Sequence, residues 1–300
     1  VDEQNHKLIL KDFNPEVEFA GRLRWYGKQG RLQIHYDETR NAWHASIPVE
    51  VGVEETKTGR KSEHIVRGER KSTQIERPKG NKAASIGLRI DVLASAVMND
   101  GTWLLFKGLR TEEDYFYLEK KIAQVKSLAD KTGNVGECEG CAELSREKTR
   151  LFKKLTRRLL HLYRSLASYL VKELRDLGAL TIYLGYPFDI AQGNGNEFAS
   201  KWSYRKLMVV VELKVQEYGM KAFEVVEYNT SKYCAYHDVE VARNPRGVIG
   251  CPKGHRLHSD LNGALNILKR AVNATVSTVN GPLSFIVDHN TVAPVMRCNP

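Results

Sequence analysis

The pattern of hydrophobic and polar positions divides the chain into two regions, with a boundary near residue 80. In the first region, aromatic and β-branched residues occur in short runs at 22–26, 31–36 and 43–49, with turn-forming residues between them. This spacing predicts that residues 1–80 contain a small antiparallel β-sheet or β-barrel. Residues 53–83 are strongly polar, and we expect them to form a mobile connection.

The second region, residues 81–300, combines strands with helices. Its apolar runs and periodicity predict strands at 84–89, 93–98, 102–106, 180–184 and 222–228, and helices at about 112–129, 142–177, 204–218 and 261–272. Between Leu151 and Leu177, leucines recur every three or four residues, which indicates a helix face buried against a core. Three strands in a row, followed by strands that alternate with helices, predict an α/β fold. Its outline is that of an RNase H-like core.

Composition favours a polyanionic partner. The chain has 46 Lys and Arg against 36 Asp and Glu, a net charge of +10 and a pI near 9.3. Such a surface attracts nucleic acid, because each neutralised phosphate releases counterions. We expect no membrane partner, since there is no run of about 18 apolar residues, and no secretory signal is visible. Five cysteines at low density argue against a disulfide-stabilised secreted domain, so we expect a cytoplasmic, nucleoid-associated protein.

Two close pairs of cysteine and histidine predict a structural zinc site. Cys234 and His237 form the first pair, and Cys251 and His255 form the second pair after thirteen intervening residues. Thiolate and imidazole groups are the ligands that Zn²⁺ prefers, and four of them in two pairs suit tetrahedral coordination. His258 is an alternative to His255, and chance co-occurrence in a turn-rich segment is the competing interpretation. A further pair, Cys138 and Cys141, has no nearby partner pair and is predicted to lie in an exposed loop.

An acidic residue follows this cluster at the predicted start of the last helix. Asp260 precedes an apolar helical pattern, which is the position of a helix-capping residue. A carboxylate held at this place is also suited to bind Mg²⁺. The spacing alone leaves both interpretations open.

A resemblance to a known family extends this interpretation. Thr230-Ser231-Lys232-x-Cys234, the Cys/His cluster, and then Asp260-x-Asn262-Gly263-Ala264-x-Asn266-Ile267 occur in that order. This combination resembles the TnpB family of transposon-encoded, RNA-guided DNA endonucleases, which are related to type V CRISPR effectors. The resemblance implies an N-terminal wedge β-domain, a RuvC domain with a basic helical insertion at 112–177, and a zinc knuckle at 230–258. It also implies a guide RNA and a double-stranded DNA target as partners.

The family's RuvC site holds three carboxylates that bind two Mg²⁺ ions, and this chain departs from that pattern. Asp260 matches the third carboxylate. Gly87 stands where the family has the first carboxylate, and Arg89 replaces a family glycine two residues later. Gly185 stands where the family has the second carboxylate. The nearest substitutes are Asp91, four residues after Gly87, and Glu227, at the end of the neighbouring strand.

The resemblance therefore leaves two functions open. In the first, the protein is an Mg²⁺-dependent endonuclease that uses Asp260, Glu227 and Asp91. In the second, it is a nuclease-dead, RNA-guided DNA binder, such as a repressor or a transposon remnant. A guide-free zinc DNA-binding protein is a third hypothesis.

Two basic surfaces are candidates for nucleic-acid contacts. Eight cations lie opposite the leucine stripe of the long helix with few acidic partners at i,i+4, namely Arg146, Lys148, Arg150, Lys153, Lys154, Arg157, Arg158 and Arg164. By the resemblance, Lys153, Lys154, Arg157 and Arg158 would line the guide–target heteroduplex channel; the alternative is a solvated helix face. In the β-domain, Arg22, Arg24 and Trp25 combine cations with an aromatic ring, which suits backbone contact and base stacking. An ordinary β-barrel exterior is the alternative there.

Overall fold

The fold was examined in a computed structural model of the chain. The structure describes residues 2, 4–10, 16–21, 28–38, 40–50, 52–56, 59–66, 69–74, 78–89, 92–108, 111–131, 139–186, 204–245, 247–288 and 291–295. The chain divides into two compact units, residues 1–75 and 76–300, and each is described by itself. No helix in the described ranges is long and apolar enough to cross a membrane.

The N-terminal unit is built from short antiparallel strands. Strands β1 to β9 are Lys7–Ile9, Glu16–Glu18, Lys28–Gln29, Gln33–Asp37, Ala42–Ser46, Val49–Glu50, Gly52–Thr56, Gly59–Val66 and Glu69–Gln74. They pair as β1 with β2, β3 with β6, β4 with β5, and β7 with β8 and β9. The β character expected for this region is present, whereas a closed barrel stays a prediction.

The expectation of a polar connection at 53–83 is wrong over most of its length. Strands β7, β8 and β9 form a three-stranded antiparallel sheet between residues 52 and 74. Backbone N–H and C=O groups pair across such a sheet whatever side chains the strands carry. Because no apolar alternation marks these strands, the hydrophobic pattern gave no sign of them.

The C-terminal unit is an α/β domain around a mixed seven-stranded sheet. Its strands are β10 Lys82–Leu88, β11 Val92–Met98, β12 Trp103–Lys107, β13 Ala179–Tyr186, β14 Lys221–Val226, β17 Leu283–Val287 and β18 Val292–Pro294, in the order β14-β13-β10-β11-β12-β17-β18. Strands β10 to β12 form an antiparallel meander, and β13 and β14 continue the sheet in parallel with β10. The predicted α/β class is confirmed. Strands β17 and β18 extend the sheet beyond the predicted strands.

The described residues of this unit include four helices. They are α1 Thr111–Lys131, α2 Glu139–Asp176, α3 Tyr204–Glu217 and α4 Ser259–Val272. The leucine stripe of α2 is confirmed as a packing face, because Leu151 and Leu155 are buried against α1, and the leucines from Leu162 to Leu174 are buried in the main core. Cys141 belongs to α2 rather than to the expected loop, and Cys138 lies outside the described residues.

Alternating residues of β10 place α4 and α2 on opposite faces of the sheet. Ala84, Ile86 and Leu88 belong to the core that includes α2 and α3. Ser85, between two of them, donates a hydrogen bond to the Ala264 carbonyl of α4 at 2.7 Å. Since side chains of a strand alternate between faces, α4 packs across the opposite side of β10. This packing brings the start of α4 to the carboxyl end of the meander's first strand.

Candidate functional site

Asp260 lies in the first turn of α4. The helix-capping residue is His258, whose Nδ1 accepts a hydrogen bond from the Asp260 N–H at 3.3 Å. The Asp260 side chain is only 10% exposed, and its carboxylate lies at the positive end of the helix dipole. The capping role considered for Asp260 therefore belongs to His258, and the Asp260 carboxylate is left for other partners.

The partner of this carboxylate is an arginine. Arg89, directly after β10, places its Nε 3.0 Å from Asp260 Oδ1, and its side chain is 38% exposed. His258 Nδ1 lies 3.5 Å from the other carboxylate oxygen, and burial lowers the pKa of this imidazole. The charge of the Asp260 carboxylate is therefore neutralised by the Arg89 guanidinium. By the resemblance, a Mg²⁺ ion would bind this carboxylate.

Glu227 occupies the space left by a missing side chain. It follows β14, and its N–H donates to the Tyr186 carbonyl at the end of β13 at 3.0 Å. A Cβ atom at Gly185 would lie 2.6 Å from Glu227 Cδ and 2.6 Å from Ile267 Cδ1, closer than packed atoms tolerate. A Cβ at Gly87 would lie 3.6 Å from Glu227 Oε1. The glutamate carboxyl thus lies between the two positions that lack a carboxylate.

The environment of Glu227 favours its neutral form. Burial raises the pKa of this carboxyl to about 7, and the nearby Arg89 guanidinium partly offsets the rise. Arg89 therefore acts on both acidic groups, by contact with Asp260 and by charge on Glu227. The structure brings these two predicted carboxylates to one region; Asp91 lies outside the described residues.

The cysteine and histidine pairs meet in a compact cluster. Ligand atoms of Cys234, His237 and His255 all lie within 4.8 Å of one another, and His237 Nδ1 is 3.3 Å from Cys251 Sγ. The Cys234 Sγ lies 3.9 Å from His237 Nδ1 and 4.0 Å from His255 Nδ1. Four ligands at about 2.0–2.3 Å from a tetrahedral zinc ion lie at similar separations. Both cysteines are buried and free of disulfides.

Short turns shape this cluster. Cys251 and His255 close a loop in which the Cys251 N–H donates to the His255 carbonyl at 2.8 Å. Gly254 has φ +97°, which glycine adopts without strain. The loop joins a two-stranded hairpin, β15 Val248–Gly250 and β16 Arg256–His258, that leads into α4.

Two asparagines attach this cluster to α4, a role the sequence analysis missed. Asn262 Oδ1 accepts from the Ala235 N–H at 2.9 Å, and Asn262 Nδ2 donates to the Tyr233 carbonyl at 2.8 Å. Asn266, one turn later, donates to the Thr230 and Tyr233 carbonyls at 2.7 and 2.8 Å. The sequence feature that could have indicated this role is the occurrence of two polar residues, four positions apart, among apolar residues of the helix. They fix the Cys/His cluster to the helix that carries Asp260.

The basic face of α2 is solvent-accessible. Lys154 is exposed, and Lys153, Arg157 and Arg158 are half-buried beside the leucine stripe. Earlier on α2, Arg150 donates to both carboxylate oxygens of Glu147 at 2.6 and 2.7 Å, so this cation has an acidic partner three residues before it. The other candidate surface, Arg22, Arg24 and Trp25, lies outside the described residues.

Comparison with known proteins adds family and fold evidence. The sequence profile of the OrfB_IS605 family, described as a probable transposase, matches residues 46–191, and the Cas12f1-like TNB domain profile matches residues 204–267. The TnpB-like protein ORF457 of Acidianus two-tailed virus is 70% identical over 296 residues, which cover 98% of this chain. This chain belongs to the TnpB family. It spans 64% of the length of that viral relative.

Two solved structures share the fold of this TnpB family member. The first, a cryo-EM structure of a Cas12f1–sgRNA–target DNA complex, has a TM-score of 0.52 at 18% identity, with 69% of this chain and 44% of that chain covered. The second, a CRISPR–Cas12f ternary complex, has a TM-score of 0.50 at 16% identity, with 79% and 44% covered. At this identity the likeness concerns the fold alone.

Proposed function

We propose that this TnpB family member is an RNA-guided DNA-binding protein with a RuvC-type, Mg²⁺-dependent endonuclease fold. The observation that carries the proposal is the placement of Asp260 at the start of α4, beside β10 and β13, in a chain that is 70% identical to a TnpB-like protein. A guide RNA would select the DNA by base pairing, while the protein contacts the backbone and shape of the duplex. The cations of α2 would supply part of that backbone contact.

The carboxylates have the donor chemistry that Mg²⁺ requires. Asp260 and Glu227 offer oxygen ligands from two elements, and Asp91 is a further candidate. When bound, Mg²⁺ would polarise a phosphodiester and help to ionise the attacking water. The residues themselves have two tasks: Asp260 must release Arg89 to accept a cation, and Glu227 must ionise. A cation nearby would lower the pKa of Glu227 and so favour that ionisation.

Zinc is proposed as the structural metal. Cys234, His237, Cys251 and His255 have the ligand types and separations of a tetrahedral site. Asn262 and Asn266 would then transmit the order of this knuckle to α4 through their hydrogen bonds. The metal would thereby stabilise the helix turn that carries Asp260.

A second candidate function is DNA binding without cleavage. The specific observation in its favour is the Arg89–Asp260 ion pair, which places a positive charge where a metal ion would bind. The glycines at 87 and 185 also remove two of the family's ligand positions. Loss of a ligand from a two-metal site removes both charge neutralisation and geometry, so rates fall by several powers of ten.

A cleavage assay separates the two candidates. RNA that purifies with the full chain is sequenced, and matched double-stranded DNA is incubated with the complex and Mg²⁺ on a denaturing gel. Cleavage that Asp260→Ala and Glu227→Gln abolish supports the endonuclease. No cleavage by the unchanged chain, with cleavage restored in Gly87→Asp/Arg89→Gly, supports a binder that lost its site. Cleavage that survives Asp260→Ala contradicts both candidates, because each of them places the nuclease site at Asp260.

A further inference from the structure

A polar cavity lies at the far end of α4 from Asp260. It has a volume of about 380 Å³ and is lined by residues of the loop after β14 and by α4 from Asn266 to the residue that ends the helix, Asn273. Sites for small ligands commonly span about 300–1,000 Å³. Its lining reaches Asn273 at the end of α4 and includes Asn229, two residues after Glu227. The cavity therefore adjoins the chain segment that carries this glutamate.

The lining combines three kinds of group. Tyr233 supplies a half-buried aromatic ring. Arg270 is exposed and uses one guanidinium nitrogen to bind the Val226 carbonyl at 2.8 Å. The side-chain amides of Asn229 and Asn273 form no hydrogen bond within the described parts of the chain. The cavity thus holds hydrogen-bonding groups that a ligand can use.

The charge of the lining favours an anion. Its single acidic residue, Asp238, is neutralised by Lys269, whose Nζ lies 2.7 Å from both carboxylate oxygens. Lys269 also donates to the Ala235 carbonyl at 3.1 Å, so it is held in the wall. The net positive charge at the cavity therefore comes from Arg270.

We propose that this cavity binds one unstacked nucleotide of a single nucleic-acid strand. Aromatic rings stack on bases of any sequence, and guanidinium groups bind phosphate. Asparagine amides pair with the hydrogen-bonding edges of bases. Tyr233 stacks the base, Asn229 and Asn273 contact its edge, and Arg270 binds the adjoining phosphate. This inference deepens the proposed function, on which it rests for the origin of the strand.

The test uses the full chain and 12-nucleotide, fluorescein-labelled oligonucleotides, dT, dA, rU and rA, in anisotropy titrations. Tyr233→Ala should weaken binding about tenfold, while Tyr233→Phe, which keeps the ring, should stay within about twofold. Arg270→Gln should weaken binding and lower the slope of log K against log salt by about 0.7. Tyr228→Ala and Arg256→Gln, an exposed tyrosine and an exposed arginine outside the cavity, serve as controls and should leave binding unchanged. If the DNA oligonucleotides bind more strongly than the RNA oligonucleotides, the strand in the cavity is DNA; the opposite result identifies it as RNA.

A crosslinking experiment on the unchanged protein avoids any effect of substitution on folding. Oligonucleotides with 5-iodouracil are photolysed in the complex, and the attached peptide is identified by mass spectrometry. A crosslink at Tyr233 supports the site. Crosslinks confined to other residues, or equal affinities of Tyr233→Ala and the unchanged chain, overturn it. A 20-base-pair RNA–DNA hybrid is titrated in parallel: binding of the hybrid without the single strands overturns the cavity alone, and binding of neither contradicts the proposed function as well.

Discussion

Arg89 and Glu227 together set the charge at the start of α4. Glycine at 185 leaves space that the Glu227 carboxyl fills, and the chain after β14 delivers that carboxyl from the neighbouring strand. The replacement of a family glycine by Arg89 adds a cation that pairs with Asp260 at 3.0 Å. The site thus places one guanidinium between two acidic side chains, in contact with Asp260 and near the buried Glu227 carboxyl.

Glu227 should make the stability of the metal-free protein depend on pH. Its pKa is raised in the folded state to about 7 from an ordinary 4.5, so folding favours the protonated carboxyl. This contribution is complete below pH 4.5 and is lost as pH rises through 7, by about 3 kcal/mol in the free energy of unfolding. Urea unfolding of the unchanged chain and of Glu227→Gln at pH 4.5 and 7.5 measures this contribution of Glu227 to the free energy of unfolding.

The difference between these two proteins isolates Glu227 from other titrating groups. The unchanged chain should lose stability relative to Glu227→Gln as the pH rises. Glu240→Gln, at an exposed position, is the matched control and should follow the unchanged chain. Parallel pH profiles for the unchanged chain and Glu227→Gln would show that the carboxyl is not buried as described.

Asn262 should be a structural residue of the site. Asn262→Ala removes the acceptor of the buried Ala235 N–H, which has no access to water, so the free energy of unfolding should fall by about 1–3 kcal/mol. Asn280→Ala, at an exposed side chain, should change it by less than about 0.5 kcal/mol. Equal urea midpoints for the two variants would contradict the attachment of the Cys/His cluster through Asn262.

At the scale of residues, the sequence indicated the chemistry but not the contacts. Asp260, Glu227 and the four Cys/His positions were predicted from spacing and resemblance. The Arg89–Asp260 ion pair was not, because it joins the end of β10 to the start of α4 across a large sequence separation. The insertion of Glu227 into the gap at Gly185 likewise depends on the register of β13 and β14.

Among the elements, the Cys/His cluster should bind one zinc ion per chain. Metal analysis of the purified protein is expected to show this stoichiometry, and Cys251→Ser should lose the metal and lower the melting temperature. The loss arises because serine does not supply the thiolate that completes a closed tetrahedral site, and because the metal holds the turns together. Cys141→Ser, at a cysteine of α2 that is not among the four proposed ligands, is the control. Zinc retained in Cys251→Ser would contradict the assignment of this ligand.

The basic face of α2 should bind nucleic acid through its charge. Changing Lys153, Lys154, Arg157 and Arg158 to Gln removes four cations. For binding to a 20-base-pair RNA–DNA hybrid, the slope of log K against log salt should therefore decrease in magnitude by roughly three. Lys206→Gln/Lys221→Gln, at exposed positions on α3 and β14, should change the slope little. An unchanged slope in the α2 variant would show that this face does not bind nucleic acid and is a solvated helix surface.

Elements with strong apolar periodicity were predicted closely. The meander β10–β12, strands β13 and β14, and helices α1 to α4 lie within a few residues of their expected bounds. Most of these elements bury apolar side chains, which is the pattern that the sequence displays. Strands β7 to β9 were missed because polar strands carry no such pattern. Strands β17 and β18 are short. The place of β17 beside β12 follows from a parallel pairing across most of the C-terminal unit, and β18 pairs with β17.

For the molecule as a whole, fold and family agree while activity is a proposal. The mixed sheet, α4 and the Cys/His cluster belong to one compact unit within residues 76–300, and the two family profiles match residues 46–191 and 204–267. The net charge of +10 suits a partner with many phosphates. RNA-guided recognition of DNA is common to both candidate functions, cleavage and binding without cleavage. Recognition is therefore the central proposal.

That claim is tested most directly by measuring the affinity of the RNA-bound protein for DNA. The complex with its co-purified RNA is titrated with double-stranded DNA that matches the RNA over 20 base pairs, with a scrambled duplex of the same composition as control. The measurement is repeated after RNase treatment. We expect binding of the matched duplex to exceed that of the scrambled duplex at least tenfold and to lose this preference without RNA. Equal affinities for both duplexes, or a preference that persists after RNase treatment, would contradict RNA guidance.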